Sequence, residues 1–207
     1  MKKKMTTNQS TSKVIAVMSM SLDGYVADNK DGVAEVFDWY FSGDVEIAAG
    51  GADAMTFRLS RSSAEHYRSL VNELGAVLTG RRTFDVAQGW GGNHGWGPAF
   101  VLTHTIPDGW PKPNSNVYFV TDSLDSAVKQ AKAAANGKAV GVHGADIIQQ
   151  CLNAGLLDEI QIDIAAVLLG SGVRLFEHLA NTPYVLGSPN VISGIGVTHL
   201  RYPVIKK

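Results

Sequence analysis

Residues 77–83, VLTGRRT, carry the chain from an apolar predicted strand into the start of a predicted helix. The N-terminus of a helix presents unpaired N–H groups and a partial positive charge, so it is suited to hold a phosphate group. Gly80 lets the backbone come close to a ligand, while Arg81 and Arg82 add fixed positive charge. Thr83 adds a hydroxyl donor. The alternative is a tight turn with two solvated arginines, because short motifs often occur without a function.

A second junction of the same kind lies at residues 139–146, AVGVHGAD. Gly141 and Gly144 suit a strand end that lets a pyrophosphate reach the following helix. The pattern differs from the three-glycine dinucleotide fingerprint. Asp163, about 20 positions further on, falls inside a predicted strand, so we expect no ribose contact from it. An ordinary helix-start turn explains this junction equally well.

The two junctions point to one site, because ligands of open α/β sheets bind at the carboxyl ends of the strands. A third predicted strand ends in Thr103 and His104. In a nucleotide site with two such junctions, these side chains would meet an adenosine ribose or its phosphate. Without the other two junctions, an ordinary strand end would be the better interpretation.

The alternation of apolar strands with amphipathic helices predicts an α/β fold with a mostly parallel central sheet. Strands are predicted at residues 13–20, 76–79, 99–103, 117–120, 138–142 and 159–169. Helices are predicted at residues 61–74, at 123–135 and from 144 onward, and Gly75 is the expected stop of the first. Residues 184–193 and 196–205 are predicted to form a C-terminal antiparallel hairpin. The aromatic-rich residues 28–58 are predicted to be irregular and to form a lid or wall.

The composition limits the classes of protein to consider. The chain has 207 residues, 45% of them apolar, which suits a single domain over residues 13–207 behind a mobile tail at 1–12. A net charge of -1 gives no sign of nucleic-acid binding. The first apolar run, residues 14–20, is too short for a membrane span or a signal peptide. Because Cys151 is the single cysteine and no Cys/His pattern has zinc-ligand spacing, we expect a cytoplasmic protein without a metal.

Five short motifs follow one another in an order that resembles a known family. They are Val14-x-x-x-Met18-x-Met20-Ser-Leu-Asp23-Gly24-Tyr-Val-Ala27, Leu78-x-Gly80-Arg-Arg-Thr83-Phe84, Gly144-Ala-Asp, Ala154-Gly-Leu-Leu-Asp-Glu159 and Val167-Leu-Leu-Gly170-Ser-Gly172-x-x-Leu-Phe176. This order resembles the dihydrofolate reductase superfamily. Within it, the chain is similar to the branch of the C-terminal reductase domain of the bifunctional riboflavin-biosynthesis deaminase-reductase. The likeness spans roughly residues 13–205.

The resemblance implies a three-layer dihydrofolate-reductase-like fold that binds NADPH, and members of this branch are often homodimers. The residues implied to hold the adenosine-side phosphates are Gly80, Arg81, Arg82 and Thr83, with Thr103 and His104 near the ribose 2′-phosphate. Those implied to surround the pyrophosphate are Gly141, His143, Gly144, Ala145 and Asp146. Those implied to border the nicotinamide and its ribose are Ala16, Asp23, Gly24, Gly170, Ser171 and Gly172.

The chain also departs from the family pattern. Folate reductases carry a pterin-binding carboxylate early in the helix before the phosphate turn, where this chain has Ala64. Glu65 is adjacent, but one step along a helix turns a side chain by about 100°. Dihydrofolate is therefore not the expected substrate. The usual second glycine of the pyrophosphate motif is His143, and residues 28–58 show no clear set of basic residues for a phosphorylated ribose.

Five further side chains are candidates for chemistry at the substrate, and Glu65 is one of them as a substrate-binding residue. Asp23, in the turn after the first strand, would order the nicotinamide-side loop or relay a proton, unless it is only a turn-former. Asp38 and Trp39 would belong to the substrate pocket, although a surface-loop acid is the simpler interpretation of Asp38. Trp90 would clamp a planar substrate or else plug the underside of its glycine-rich loop, residues 89–97.

Together these observations predict an NADPH-dependent reductase. Hydride would pass to a C=N or C=O bond of a small, planar, heterocyclic substrate, and a bound water or Asp23 would supply the proton. The alternative is a dinucleotide-binding or oligomeric protein without reductase turnover. The missing folate-type carboxylate keeps this alternative open.

Overall fold

The computed structural model describes residues 12–50 and 55–206. The predicted mobile tail therefore lies outside the described residues, except for Ser12, which is buried at 8% exposure and so belongs to the folded part. Within the described ranges, no helix has both the length and the apolar character that crossing a membrane requires.

The described residues form twelve strands and five α-helices. The strands are β1 (Val14–Ser21), β2 (Tyr25–Ala27), β3 (Val45–Ala48), β4 (Thr56–Leu59), β5 (Leu74–Gly80), β6 (Ala99–Leu102), β7 (Val117–Val120), β8 (Ala139–His143), β9 (Glu159–Ala165), β10 (Val173–Arg174), β11 (Asn190–Ser193) and β12 (Val197–Pro203). The helices are α1 (Ala34–Phe37), α2 (Arg61–Glu73), α3 (Arg81–Val86), α4 (Leu124–Ala134) and α5 (Ala145–Asn153).

An eight-stranded sheet, in the order β11-β12-β9-β1-β8-β5-β6-β7, runs through the centre of the molecule. Every neighbouring pair from β9 to β7 is parallel, and β12 pairs antiparallel with both β9 and β11. This confirms the predicted mostly parallel sheet with a C-terminal antiparallel hairpin. The hairpin is shorter than predicted, because its first strand begins at Asn190 rather than at residue 184.

The sheet is covered on both faces, which explains why its central strands are apolar at successive positions. Along β1, Val14 and Ala16 pack into the cluster that contains the buried residues of α4 and α5. The alternate residues Ile15 and Val17 pack against Leu70 of α2. The side chains of one strand thus fill two separate cores, and the fold has three layers.

Helix α2 follows the predicted pattern, but its end does not. Ser60 caps the helix by accepting a hydrogen bond from the Ser63 backbone N–H at 3.3 Å. The prediction that Gly75 stops the helix is wrong, since Leu74 is already extended (φ -79°, ψ 141°) and belongs to β5. A Cβ atom at Gly75 would lie 2.2 Å from the Ala135 carbonyl oxygen. The glycine is therefore needed where strand β5 passes the end of α4.

The segment at residues 28–58, predicted to be irregular, contains ordered elements. It holds helix α1, a 3-10 turn at Asp38–Phe41 and the antiparallel pair β3–β4. Trp39 and Tyr40 of the turn pack with Leu59 in a third core that is separate from the two described above. The aromatic residues of this segment thus provide the apolar contacts that hold it as a wall beside the sheet.

Candidate functional site

A cavity of about 1090 Å³ opens at the carboxyl ends of the parallel strands. Its lining includes Ser19 near the end of β1, Gly80 at the end of β5, Leu102 at the end of β6 and His143 at the end of β8. This is the edge at which ligands bind in open α/β sheets. The cavity has a polar end, built by the two predicted junctions, and an aromatic end, built largely by residues 33–57 and 90–96.

The two junctions are in direct contact. Strands β5 and β8 are neighbours in register, with Thr79 opposite His143, and the Thr79 hydroxyl donates to the His143 carbonyl at 3.0 Å. Gly144 has φ +91°, and a Cβ atom there would lie 2.4 Å from Thr83 Oγ1. The start of α5 therefore packs against the start of α3, and two helix N-termini face one part of the cavity.

Both arginines at the polar end are already paired with carboxylates. Arg81 Nε donates to Asp85 at 2.9 Å, and its Nη1 donates to the Thr105 carbonyl oxygen at 3.1 Å. Arg82 Nε donates to Asp31 at 2.7 Å. The guanidinium groups line the cavity, but each already has a carboxylate partner. A bound phosphate would therefore have to compete with these two carboxylates.

Most of the predicted cofactor residues line this cavity. They are Gly80, Arg81, Arg82, Thr83, Thr103, His104, His143, Gly144, Ala145 and Asp146. Asp146 is exposed in the first turn of α5 and accepts a hydrogen bond from Gln150 at 2.7 Å. The structure thus brings together residues from three strand ends, and their roles toward a cofactor stay predictions.

Two predicted cofactor residues lie inside the sheet instead. Ala16 is 2% exposed and sits between Val142 and Ile160 in the strand register, so its side chain belongs to the core. Gly141 lies two residues before the end of β8, and a Cβ atom there would meet Leu74 Cδ1 at 3.0 Å. The prediction that Gly141 approaches a pyrophosphate is corrected, because this glycine makes room for a side chain of the neighbouring strand.

Asp23 also lies away from the cavity. Its carboxylate accepts hydrogen bonds from the Ser21 hydroxyl at 2.6 Å and from the backbone N–H groups of Leu169 and Gly170 at 3.1 and 2.7 Å. The bond from Ser21, followed by those from the backbone, lowers the pKa of this carboxyl below its usual value. An ionised carboxylate held by three donors has no proton to give, so these contacts favour the predicted loop-ordering role of Asp23 over the proton relay, and both roles stay predictions.

The remaining predicted residues on the nicotinamide side support the same loop. A Cβ atom at Gly172 would lie 2.0 Å from the Ala27 carbonyl oxygen, so the 170–172 turn packs closely on the end of β2. Ser171 Oγ accepts a hydrogen bond from Asn29 Nδ2 at 2.7 Å. Gly24, Gly170, Ser171 and Gly172 are not part of the cavity lining, and their predicted role beside the nicotinamide stays a prediction.

The aromatic end of the cavity is assembled from five separate parts of the chain. Its aromatic side chains are Phe37, Tyr40, Phe41, Phe57, Tyr67, Trp90 and Trp96. Tyr40 packs on Phe57 with ring centroids 4.4 Å apart, and Tyr67 accepts a hydrogen bond from Trp96 Nε1 at 2.9 Å. Burial raises the pKa of both tyrosines, so both hydroxyls keep their protons. This end therefore offers flat apolar surfaces and neutral hydrogen-bond donors.

Of the four predicted substrate residues, only Trp90 lines the cavity. Asp38 is exposed on the outside of the 3-10 turn. Trp39 is 3% exposed behind Tyr40, and its indole N–H donates to Ser19 Oγ at 3.2 Å. Glu65 is exposed on the other side of α2 and borders a second, smaller pocket. These three predictions are corrected, because the helical geometry turns the side chains away from the cavity.

Sequence reasoning missed two polar groups of the aromatic end. Tyr67 lies among the buried residues of α2 at 5% exposure, yet it lines the cavity. Ser19 occupies a position in a buried strand that offers no periodic signal of its own. In both cases the sequence offered one indication of a role at the cavity, namely a hydroxyl group at a position where the surrounding pattern is apolar.

Two buried histidines line the cavity between its polar and aromatic ends. His94 is 7% exposed, and burial lowers its pKa to about 4. His143 is partly exposed at the cavity, but its Nε2 atom is fully covered and has no hydrogen-bond partner among the described residues. Burial, followed by the proximity of His94, lowers the pKa of His143 to about 3. Both imidazoles are neutral at pH 7 and contribute shape rather than charge.

The sequence matches the profile of the RibD C-terminal domain over residues 12–199. The chain belongs to this family. A comparison with curated protein sequences finds no match. The resemblance predicted from the five motifs is therefore confirmed at the level of the family.

Solved structures show the same fold as this RibD C-terminal domain protein. A putative riboflavin biosynthesis protein from Shewanella sp. PV-4 is 22% identical, with a TM-score of 0.66 over 94% of this chain and 99% of that chain. Dihydrofolate reductase from Enterococcus faecalis is 11% identical, with a TM-score of 0.58 over 96% and 98%. A deaminase/reductase from Thermotoga maritima is 10% identical, with a TM-score of 0.59 over 94% of this chain and 57% of that chain. At these identities the likeness confirms the dihydrofolate-reductase-like fold.

We expect the substitution Gly144→Ala to open the contact between the two junctions. A Cβ atom at this position would overlap Thr83 Oγ1 and would also require a backbone conformation that costs about 1–2 kcal/mol for other residues. Chemical denaturation should show a loss of stability above 2 kcal/mol, and binding of a dinucleotide should weaken at least tenfold. Gly155→Ala is the matched control, because Gly155 has φ +66° with open space around its Cβ position. Equal losses in the two variants would contradict the close contact.

We also expect the two cavity histidines to make the fold sensitive to acid. Their pKa values in the folded state, about 4 for His94 and about 3 for His143, lie below the unfolded value of 6.5, so the unfolded chain binds more protons in that range. The free energy of unfolding is therefore highest above pH 6.5, and it falls as the pH drops toward the pKa values of the two histidines in the folded state. Between pH 7 and pH 5 the loss is up to about 2 kcal/mol for each imidazole.

Urea denaturation at several pH values measures this loss. The double variant His94→Asn/His143→Gln keeps hydrogen-bonding side chains but cannot titrate, so its stability should fall less between pH 7 and pH 5. His178→Asn is the control, because His178 is exposed and its replacement should leave the slope unchanged. A double variant with the acid sensitivity of the wild type would show that the acid response originates elsewhere.

Proposed function

We propose that the protein is an NADPH-dependent reductase of a small, planar heterocyclic substrate. One observation carries the proposal: a single cavity joins two convergent helix N-termini, at its polar end, to its aromatic end, which we call the aromatic chamber. A nicotinamide dinucleotide has phosphates at its centre and a flat reactive ring at one end, which matches this division. The related dihydrofolate reductase from Enterococcus faecalis was solved in complex with NADP(H), which supports the same use of the shared fold.

The residues at the polar end suit the phosphates of NADPH. Gly144 and Gly80, at the starts of α5 and α3, both line this end of the cavity, and Thr83 adds a hydroxyl group. Arg81 and Arg82 stand at the rim, where a 2′-phosphate would take over the hydrogen bonds now made to Asp85 and Asp31. When bound, NADPH would supply the hydride, and the protein would supply position and electrostatics.

The aromatic chamber suits an uncharged substrate. Among the described lining residues, the basic side chains other than histidine are Arg81 and Arg82, and both belong to the polar end. The carboxylates of that lining, Asp31, Asp122 and Asp146, also lie there, and α2 contributes Tyr67 instead of an acid. Among the described residues, the chamber therefore has no basic partner for a phosphoribosyl group and no carboxylate for the pterin ring of a folate. We propose a flat heterocycle with a C=N or C=O bond.

The proton for the reduced atom would come from a neutral hydroxyl group or a water molecule. Tyr40 and Tyr67 replace Asp23 as the protein candidates, because both line the chamber and both keep their protons. The Tyr67 oxygen accepts from Trp96 Nε1, while the hydroxyl donates to the Ala49 carbonyl oxygen across a long oxygen–oxygen distance of 3.4 Å. Such a long bond leaves the hydroxyl free to donate to a ligand.

We expect Arg81→Ala and Arg82→Ala each to raise the Kd for NADPH about tenfold, since a charge-assisted hydrogen bond contributes roughly 1.5–3 kcal/mol. The Kd for NADH, which lacks the 2′-phosphate, should change less than threefold. Fluorescence titration with both nucleotides measures the difference. Lys129→Ala on the outer face of α4 is the control and should leave both values unchanged. Equal losses for the two nucleotides would contradict the assignment of the arginines.

We expect the protein to oxidise NADPH in the presence of at least one uncharged pyrimidinone, pterin or quinone-like carbonyl compound. Loss of NADPH absorbance, with identification of the reduced product, measures this turnover. Tyr67→Phe should lower kcat if the hydroxyl supplies the proton, while NADPH binding stays intact. Binding of NADPH without turnover of any compound would favour the alternative of a dinucleotide-binding protein. If neither NADPH nor NADH binds, both the reductase and the dinucleotide-binding hypothesis are overturned. We propose the homodimer separately, and this experiment does not test it.

A further inference from the structure

A second pocket, of about 440 Å³, lies on the α2 side of the sheet and shares no lining residue with the large cavity. Its lining comes from α2, β9, β11 and β12, and the residues are Ser62, Glu65, His66, Ser69, Leu70, Gln161, Asn190, Ile192, His199 and Arg201. It is small and largely polar, and the proposed reductase chemistry does not use it. At its base lies a cluster of buried polar side chains.

The cluster consists of His66, Asp163 and His199. Asp163 of β9 and His199 of β12 are directly opposite in the antiparallel register, and Asp163 Oδ1 lies 2.7 Å from His199 Nδ1. Helix α2 places His66 over them, with its ring stacked on that of His199 at a centroid distance of 4.3 Å. One nitrogen or oxygen atom from each residue lies within 4.8 Å of the others.

Gln161 provides an independent sign that a ligand is missing from this cluster. It lies two residues before Asp163 on the same face of β9 and is fully buried at 0% exposure. Its Nε2 atom donates to Asp163 Oδ1 at 3.1 Å and lies 3.1 Å from His66 Nε2, whereas its Oε1 atom has no hydrogen-bond partner among the described residues, so a rotation of the amide would turn Oε1 toward the cluster. A buried acceptor without a partner costs stability, so such an atom calls for an explanation.

The carboxylate and the two imidazoles of the cluster form no ion pair with an arginine or lysine side chain among the described residues. The ion pairs of Asp163 within the described ranges are with the two histidines alone. The neighbouring Arg201 is engaged by Glu73 and Glu159 instead. A buried carboxylate beside two imidazoles and a free amide oxygen is a set of ligands that attracts a cation.

Ser63 contacts the ring nitrogen of His199 that does not face Asp163. Its hydroxyl lies 2.9 Å from His199 Nε2 and accepts from Ser60 Oγ at 2.9 Å. This chain of Ser63, His199 and Asp163 is not a hydrolytic triad, because a Cβ atom at Gly194 would lie 2.3 Å from Ser63 Oγ. Gly194 thus covers the hydroxyl, which is 1% exposed and open to no substrate. The contact instead orients the ring of His199, as partners of metal-binding histidines do.

We propose that His66, Asp163 and His199 bind one divalent transition-metal ion, with Gln161 Oε1 or a water molecule from the pocket as a further ligand. Two imidazole nitrogens and a carboxylate suit Zn²⁺, whereas Ca²⁺ and Mg²⁺ prefer oxygen ligands alone. Bonds of about 2.0–2.1 Å place tetrahedral ligand atoms roughly 3.3 Å apart. His66, with 11% of its side chain exposed to the pocket, has the room to turn inward by the small distance required.

Such an ion would join α2 to β9 and β12 at three points. His66 directly precedes Tyr67, whose hydroxyl lines the aromatic chamber of the first cavity. The ion would therefore hold in place the helix that presents Tyr67. It would act on the structure of the protein, and the proposal does not depend on reductase turnover.

The test uses the full-length protein without an affinity tag, treated with a chelator and then titrated with ZnCl₂ by calorimetry. We expect one Zn²⁺ per chain with a micromolar or lower Kd, a higher Tm on binding, and no comparable effect of MgCl₂. His66→Ala should weaken binding at least a hundredfold and leave the Tm of the metal-free protein within a few degrees of the wild type. His178→Ala, which removes an exposed histidine outside the cluster, is the control and should bind as the wild type does.

Asp163→Asn is the second variant and should also abolish binding. Because this residue is buried, the variant could fail to fold, so Co²⁺ is used as a spectroscopic probe of the wild type. A tetrahedral site should produce visible absorption bands that one equivalent of Zn²⁺ removes. The proposal is overturned if no such bands appear and ZnCl₂ neither binds nor raises the Tm. It is also overturned if His66→Ala binds Zn²⁺ as tightly as the wild type, since the ion would then lie elsewhere.

Discussion

The close contact between the start of α5 and the start of α3 is the constraint on which the site depends. It exists because β5 and β8 are parallel neighbours in register, so their carboxyl ends deliver two helix N-termini to the same place. Gly144 makes the contact possible, since any side chain there would occupy the position of the Thr83 hydroxyl. The two junctions therefore form one continuous surface of the cavity rather than two separate turns.

The large cavity separates charge from apolar surface along its length. At the polar end each arginine is paired with a carboxylate, so a phosphate can bind there only by exchanging one set of hydrogen bonds for another. At the aromatic end the ionisable groups are held neutral by burial, including His94, His143 and the two tyrosines. This division favours a charged cofactor and an uncharged substrate in the same cavity.

The predictions from sequence succeeded where local pattern decides structure. Strand β1, helix α2 and the two glycine-containing junctions lie within a few residues of their predicted bounds, because apolar periodicity and capping act over short distances. The contacts of Asp23 and Gly141 were not predicted, for the opposite reason. The partners that explain them, the backbone N–H groups of Leu169 and Gly170 for one and the Leu74 side chain for the other, are distant in sequence.

The sequence by itself determined the fold class, the family and the two loops that face the large cavity, because these follow from motifs in which neighbouring residues act together. Only the tertiary structure decided which side chains of those motifs reach the cavity and that Tyr40 and Tyr67 line it. The same holds for the cluster of His66, Asp163 and His199, which no spacing pattern could show. Strand register and helix packing join these three residues, and register is fixed by burial across the whole sheet rather than by any local stretch.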